Sequence, residues 1–475
     1  MPEIPITLIK GDKLSIETDY RDLLPVNMYA VRREILGAEG YLIQYPGMDY
    51  ITEASGKDRG AVYNERFNSH YRVSGKNLIS VSTGYDVTIL GEVSGNKQVT
   101  LQDFYSFNTQ GIISEGRFFL YDPIEGFREV VDPDLGSPID GVWIDGYYFM
   151  TDGEFLFHTD INDEESIDPL KFATAEFMPD PSIGVAKTQD NKVLVFGRYS
   201  LEYFINDATE DFAFRRIENR AQKIGIVATH AKCESKSNYY ITGSRKNEAL
   251  GVYNIGVGSA QKVSSREIDK ILATYKEYEL VDMRMECREE NNTTFVLIHL
   301  PNEVLCFNES IAVERGLDIT WSILKSDVQG TSPYRSINGI FDPRRSEWIY
   351  GDKRTNVLGK LNNSRATQYG EIIEWILYTP LVKLETFSIN SFEIATIPGQ
   401  TPYPEDKQKM TVAISLTYNG VTYSHEHWMV YGTPYNYDTR FRIRRLGYVN
   451  EWVGFKLRGA STSRVAFGLF NLDFS

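Results

Sequence analysis

One unit recurs along most of this chain and limits what it can fold into. It is an apolar, aromatic strand, a turn rich in Gly, Asn or charge, and a second apolar strand. It occupies residues 61–81, 111–123, 146–160, 192–207, 239–256, 295–309 and 347–362, with turns near 75, 115, 152, 198, 244, 301 and 353. Successive turns lie about 37 to 57 residues apart, around the ~40–50 residues of a four-stranded propeller blade. One four-stranded sheet cannot bury both faces. Sheets set radially around an axis bury face against face and leave only short edges. The spacing is irregular and holds no WD or kelch signature. The expectation is therefore an all-β chain with a degenerate β-propeller of six or seven blades. The alternative is a pair of packed β-sandwiches made of unrelated hairpins. Composition agrees with either: 30 Tyr, 25 Phe and 6 Trp suit pleated surfaces, and 37 Gly supply turns. The best helical segment is 265–282, with Ile268, Ile271, Leu272 and Tyr275 on one face and Ser265 as a cap.

The pattern changes after Asn362. Two Pro-rich turns, Thr379-Pro380 and Pro398-Gly399-Gln400-Thr401-Pro402, precede alternating runs at 410–420, 421–431, 440–449 and 452–461. Asn419-Gly420 between two such runs is a strong hairpin signal. The expected division is an N-terminal arm over 1–30, the propeller over 31–363, and a C-terminal β-sandwich of jelly-roll type over 364–475.

Net charge is −15 (50 Lys and Arg against 65 Asp and Glu). That argues against a basic face that wraps or reads DNA, but does not exclude a conduit through which DNA slides, because an acidic wall repels phosphate rather than trapping it. Cys233, Cys287 and Cys306 lie far apart with no C-x-x-C, so reduced, buried thiols are expected rather than disulfides or a zinc site. No run approaches the ~18 apolar residues of a membrane helix. Met1-Pro2-Glu3-Ile4 begins no secretory signal.

The catalytic inventory is thin. There is no phosphate-binding G-x-x-x-x-G-K-[ST] loop and no G-x-S-x-G nucleophile elbow, and Gly256-Val257-Gly258 lacks the third glycine of a dinucleotide loop. His425 and His427 share a strand face but have no apparent third ligand. The run from Asp160 to Glu165 has Glu165 where a calcium loop needs Gly, and Lys171 where it needs Glu. Leu317-Asp318-Ile319-Thr320-Trp321 is a fragment of a sialidase-type turn and otherwise a core tryptophan. No catalytic residue, metal or cofactor is expected. One charge feature stands apart: Arg440, Arg442 and Arg444 alternate with Phe441 and Ile443, so a strand sets three guanidinium groups on one face. Their partners would be cross-strand carboxylates of the same domain, an acidic patch of another protein, or DNA phosphate.

Several stretches, in order, resemble a known family. At the N-terminus they are Asp19-Tyr20, Leu24-Pro25-Val26-Asn27-Met28, Glu34-Ile35-Leu36, Gly40-Tyr41-Leu42 and Pro46-Gly47. Further on come Tyr71-Arg72-Val73, Glu202-Tyr203-Phe204, Ile298-His299-Leu300-Pro301, Gly351-Asp352-Lys353 and Gln368-Tyr369-Gly370, then Val453-Gly454-Phe455-Lys456-Leu457-Arg458. Together they resemble the packaged-DNA stabilisation proteins, or tail hubs, of short-tailed Salmonella-type phages. The resemblance implies a structural virion protein, not an enzyme, made in the host cytoplasm and carried in the virion tail. It implies a homohexameric ring below the portal and its head-to-tail adaptor. That ring would extend the channel, help retain packaged double-stranded DNA without sequence-specific binding, and carry tailspikes and a tail needle, with no membrane insertion. Assembly contacts are expected at Asp19, Leu24, Pro25, Asn27 and Met28, a Leu-, Val- and Met-rich stretch outside the repeats, and at Arg440, Arg442 and Arg444. The N-terminal stretch would otherwise be an edge strand closing the propeller. The rival function is a propeller that binds or cleaves glycans at its axis.

Overall fold

The computed structural model describes residues 3–6, 10–14, 20–33, 40–161, 163–236, 238–256, 259–290, 293–315, 320–328, 330, 332–383, 386–396, 410–432, 435–438 and 440–475. Asp19, Glu34 to Leu36, Val257-Gly258, Leu317 to Ile319 and the turn at 398–402 lie outside them, as does Asn162 of the acidic run.

Among the described residues, seven antiparallel sheets succeed one another along the chain: 58–92, 99–129, 140–173, 182–216, 225–262, 284–324 and 336–362. Neighbouring sheets touch along their inner strands or through hydrogen bonds of the inner segment of the second sheet, as do the first and seventh, so the sheets are the blades of a closed propeller. All seven turns singled out in the sequence join the second and third strands of successive blades, from Ser69–Ser74 with Asn77–Val81 to Glu347–Asp352 with Val357–Asn362. The second blade is the irregular one. Its inner segment pairs only through the bridges Thr100↔Ile113 and Tyr105↔Gln110, and Asp103 between them has a left-handed backbone, φ 53°, that interrupts a regular ladder.

The ring closes through a distant segment. The outer strand of the seventh blade is Gly47–Glu53, antiparallel to Val357–Asn362 from Asn362↔Gly47 to Val357↔Glu53. This strand lies beyond residue 30, so the closing strand is not the one expected. The helix is shorter than its pattern suggested: Arg266–Leu272, with the Ser265 hydroxyl accepting the Ile268 N–H and with Ile268 and Leu272 buried. Thr274 bonds back to the Ile271 carbonyl, and Tyr275 continues the apolar face without helix while its hydroxyl donates to Glu303 at 3.0 Å.

The second unit is a sandwich of a five-stranded and a four-stranded sheet, the fifth strand being the short Val382–Lys383 against Trp452–Ala460. One has the order Glu374–Tyr378, Trp452–Ala460, Met410–Thr417, His427–Gly432. The other runs Glu3–Ile6, Phe470–Phe474, Phe387–Ile394, Phe441–Val449. Phe392 stacks on Phe455 at 4.3 Å between them, and Trp375 leans on Phe467 at 5.0 Å. Each such ring contributes roughly 2–3 kcal/mol by burial. Asn419-Gly420 begins a longer connection rather than a two-residue turn. Gly420, φ 69°, lies so close to Asp12 that a Cβ would meet its carbonyl oxygen at 2.1 Å.

Within the expected arm over 1–30, described strands are held by this unit. Glu3–Ile6 pairs with Phe470–Phe474, and Met28–Val31 pairs with Tyr41–Gln44, which also pairs with Ala466 and Phe467. The physical reason is the apolar content of the stretch: Met28 is fully buried in the sandwich core and Leu24 in a propeller core.

Residues 25–27 join the two units. The Val26 N–H donates to the Ile376 carbonyl at 2.9 Å and the Ile376 N–H returns to Val26 at 3.1 Å. On the other side the Ile323 N–H donates to Pro25 and the Asn27 N–H to Ile323, at 3.0 and 2.8 Å. Asn27, φ 56°, donates its side-chain amide to the carbonyls of Lys325 (2.8 Å) and Glu374 (2.7 Å) and accepts the Lys325 N–H (2.8 Å). Asn tolerates that left-handed backbone; Ala does not. Asn27→Ala should therefore lower stability by about 3 kcal/mol, from three lost buried hydrogen bonds, and uncouple the two units. Denaturant unfolding followed by circular dichroism and tryptophan fluorescence checks this; coincident transitions at the wild-type midpoint would contradict it.

Candidate assembly surfaces

The axis is where a propeller enzyme or lectin would work, and here it is filled. Buried carboxylates on the inner strands each reach across blades. Asp58 pairs with Arg72 at 2.6 Å and accepts from the Asn338 amide at 2.6 Å, while Arg72 donates on to the carbonyls of Asn338 and Ile349. Asp140 accepts from Thr100 (2.7 Å), Lys232 (2.6 Å) and the Val185 N–H (2.8 Å), so it links four blades. Glu286 pairs with His299 and accepts the Gly339 N–H at 2.7 Å. Asp342 pairs with Arg344 and Arg345, both at 2.7 Å. These pairs hold the Asp342 carboxyl below its ordinary range, whereas burial outweighs Arg72 and raises that of Asp58. A cavity of about 70 Å³ beside this network is lined by Thr100, Asp140, His230, Lys232 and Arg284 among others.

One mouth of the axis widens into a funnel of about 400 Å³ lined by Glu65, Arg66, Asp103, Phe107, Trp143 and Lys187 among others. Phe107 meets Trp143 edge-on at 5.3 Å, with Arg66 over the first ring and Lys187 near the second. Desolvation first, and the Asp103 charge second, push the Glu234 carboxyl up to about 7. The cations already stacked on both rings compete with any ligand for those faces.

Leu24, Pro25, Asn27 and Met28 are all buried within this chain, so their side chains face its own junction and cores rather than a neighbour. Arg440 forms a two-point pair with Glu393 (2.6 and 3.0 Å), and Arg442 reaches the Ser391 hydroxyl at 2.7 Å and Asp473 at 3.5 Å. Arg444 stands across from Ser391, exposed. The alternation thus sets Arg440 and Arg442, but not Arg444, beside cross-strand carboxylates of the same domain. His425 and His427 lie with ring centres 4.4 Å apart, and Glu426 between them is taken by Arg458. Among the described residues no three His, Cys, Asp or Glu side chains gather to hold a metal ion. Asp160 pairs with Lys171 and Glu165 with Arg128. Trp321 is a core residue donating to the Val263 carbonyl at 3.1 Å. The three cysteines are free, and burial pushes the Cys287 and Cys306 thiols up to about 12, away from reactivity. Two features escaped sequence reasoning. The axial carboxylates sit in unremarkable strand contexts, and Arg445 takes a left-handed φ of 62° beside Arg444.

Two family models match the chain in order: bacteriophage P22 Gp10, beta-propeller, over residues 3–366, and bacteriophage P22 Gp10, beta-sandwich, over 374–475. The tail hub protein gp10 of Salmonella phage P22 is 29% identical over 98% of this chain and 98% of its own length. Solved structures with partial likeness include a streptogramin B lyase (TM-score 0.43, 9% identity, 67% of this chain and 97% of that one). The WD40 domain of Neurospora crassa Pan2 is another (TM-score 0.41, 8% identity, 65% and 90%).

The axial network gives the fold a pH limit. Burial holds His70 neutral, well below its ordinary range, and lowers His299 to about 4. In the unfolded chain each takes a proton near ~6.5. Protons then favour the unfolded state, so stability is full above ~6.5 and falls as pH drops toward 4. Both ring nitrogens of His70 also lack a hydrogen-bond partner. His70→Leu should flatten the acid decline in melting temperature between pH 6.5 and 4; an unchanged slope would refute the assignment.

Proposed function

Because the chain belongs to the phage P22 Gp10 family, matched end to end in its propeller and its sandwich, we propose that it is the hub of a short phage tail. It is a structural component of the virion tail, not an enzyme, and works among other tail proteins. The single observation that carries the finer reading is the 29% identity to the P22 tail hub over 98% of both chains. On this reading six copies form a ring under the portal and its adaptor, and the ring continues the DNA channel. A needle closes its lower end and tailspikes attach around it. The chain is made in the host cytoplasm before joining the particle.

Two physical features support this role. The units share hydrogen-bonded backbone at residues 25–27, so each copy is stiff rather than a pair of beads on a linker. Buried carboxylates tie the inner strands of each propeller to one another, so on this reading the channel of such a ring runs between copies. A chain of net charge −15 lining that channel repels phosphate and leaves DNA free to move. Retention then comes from the closed end and not from affinity. Electron microscopy of the chain alone and mixed with its cognate portal–adaptor assembly tests the reading. Six-fold density added below the adaptor is expected. A bare adaptor beside single chains would overturn it.

A further inference from the structure

Two far ends of this chain combine unlike charge with exposed apolar side chains. The first is the free edge of the sandwich. In one sheet Glu374–Tyr378 lies at the propeller junction and His427–Gly432 at the opposite edge. Phe441–Val449 is the neighbouring edge of the other sheet, in contact with it. Residues 440–449 hold four arginines and no carboxylate. Arg440 and Arg442 are paired, but Arg444 and Arg445 are exposed and have no ion-pair partner among the described residues. They stand side by side because their strand bulges between Arg444 and Gly447, which span one residue more than Ile389 to Ser391 opposite, with Arg445 left-handed. Such a bulge turns both side chains outward at a backbone cost that the free chain does not recover. Trp428, Tyr435 and Tyr448 are exposed on the same edge, Tyr435 by 81% and also left-handed.

The second end is the rim of the second and third blades. Residues 122–134 and 160–171 together carry ten carboxylates against Arg128 and Lys171, and Lys171 pairs with Asp160 and Asp168. Between them lies a mostly apolar groove of about 280 Å³, walled by Leu135, Phe157, Ile167 and Phe172 and rimmed by Asp134, Asp168 and Lys171. Val131 and Leu170 beside it are 89% and 81% exposed. In a ring of seven blades the third lies across from the sixth and seventh, where the sandwich is attached. The basic aromatic edge and the acidic apolar groove therefore sit at opposite ends of one chain.

We propose that these ends are the two halves of one head-to-tail contact: the Tyr435 and Arg444-Arg445 edge of one copy docks into the Asp134–Asp168 groove of a second copy of this chain. Unlike patches at opposite ends cannot satisfy each other within one molecule, and repeated contacts of this kind make a ring when the rotation closes. Opposite charges set the register, and the apolar groove takes the aromatic knob. The inference rests on the ring reading above and names the surfaces that build it.

The test uses the full-length wild-type chain and three full-length variants on the portal–adaptor assembly, read by electron microscopy. One carries Arg444→Asp with Arg445→Asp. The second carries Asp134→Lys with Asp168→Lys. Each alone should lower complete rings by about tenfold or more, because every contact then pairs like charges. An equimolar mixture should restore them, as alternating copies meet with opposite charges around an even-numbered ring. Leu170→Asp, at a position too exposed to matter for folding, should weaken rings as well. Melting temperatures near the wild-type value show that the variants fold. Folded variants that ring normally alone, or a mixture that stays open, overturn the contact. A wild-type chain that never rings overturns instead the reading on which it rests.

Discussion

Residues 25–27 are the constraint on which the rest of the molecule hangs. This extended stretch is hydrogen-bonded on one side to the outer strand of the sixth blade and on the other to the first strand of the sandwich. Backbone groups buried away from water cost about 1–3 kcal/mol each when unpaired. The units cannot part here without stranding several at once. Asn27 adds side-chain bonds to both partners from a left-handed backbone that few residues tolerate. What reads in sequence as two domains is mechanically a single plate.

The inner ring obeys the same logic with charge in place of amide. A buried carboxylate is costly unless several donors converge on it. Asp140 is served by three groups from three other blades, and Asp58 by the seventh blade and by Arg72 of its own. Each blade is thereby indexed to its neighbours, and removing a single partner leaves an uncompensated charge. This account covers specificity better than stability: burial still raises the Asp58 carboxyl, so desolvation there exceeds the attraction of Arg72.

Local patterning was legible and long-range pairing was not. The seven Gly- and Asn-rich turns showed where the second and third strands of each blade meet, because turn chemistry is written within a few residues. The Ser265 cap and the face of Ile268 and Leu272 were visible for the same reason. The alternation of Arg440, Arg442 and Arg444 with apolar residues located a strand, but nothing in it named Glu393 as the partner of Arg440 or placed that strand at a sheet edge. Strand Gly47–Glu53 carries no sign that it completes a blade formed at the other end of the repeat. Nor does Glu3–Ile6 announce its pairing with Phe470–Phe474. The apolar residues of the N-terminal stretch suggested a contact, which they make, but inside the chain. Leu24 and Met28 read alike whether the core they fill is their own or a neighbour's.

A propeller with a filled axis and a fourth-strand closure has few surfaces left for work. Its inner strands are committed to the carboxylate network, and its junction side is covered by the sandwich. What remains are the outer rims and the free sandwich edge, and there the sequence keeps features that folding alone does not require. Arg445 and Tyr435 hold left-handed backbones in solvent, and Val131 and Leu170 stand almost fully exposed. Isolated exposed apolar residues are ordinary on any surface. Gathered beside a groove, and facing away from an opposite pole of unpaired arginine, they are the mark of a part shaped to meet copies of itself. The stiffness built at residues 25–27 is what makes such poles useful, since two ends can set the geometry of a ring only if the body between them does not bend.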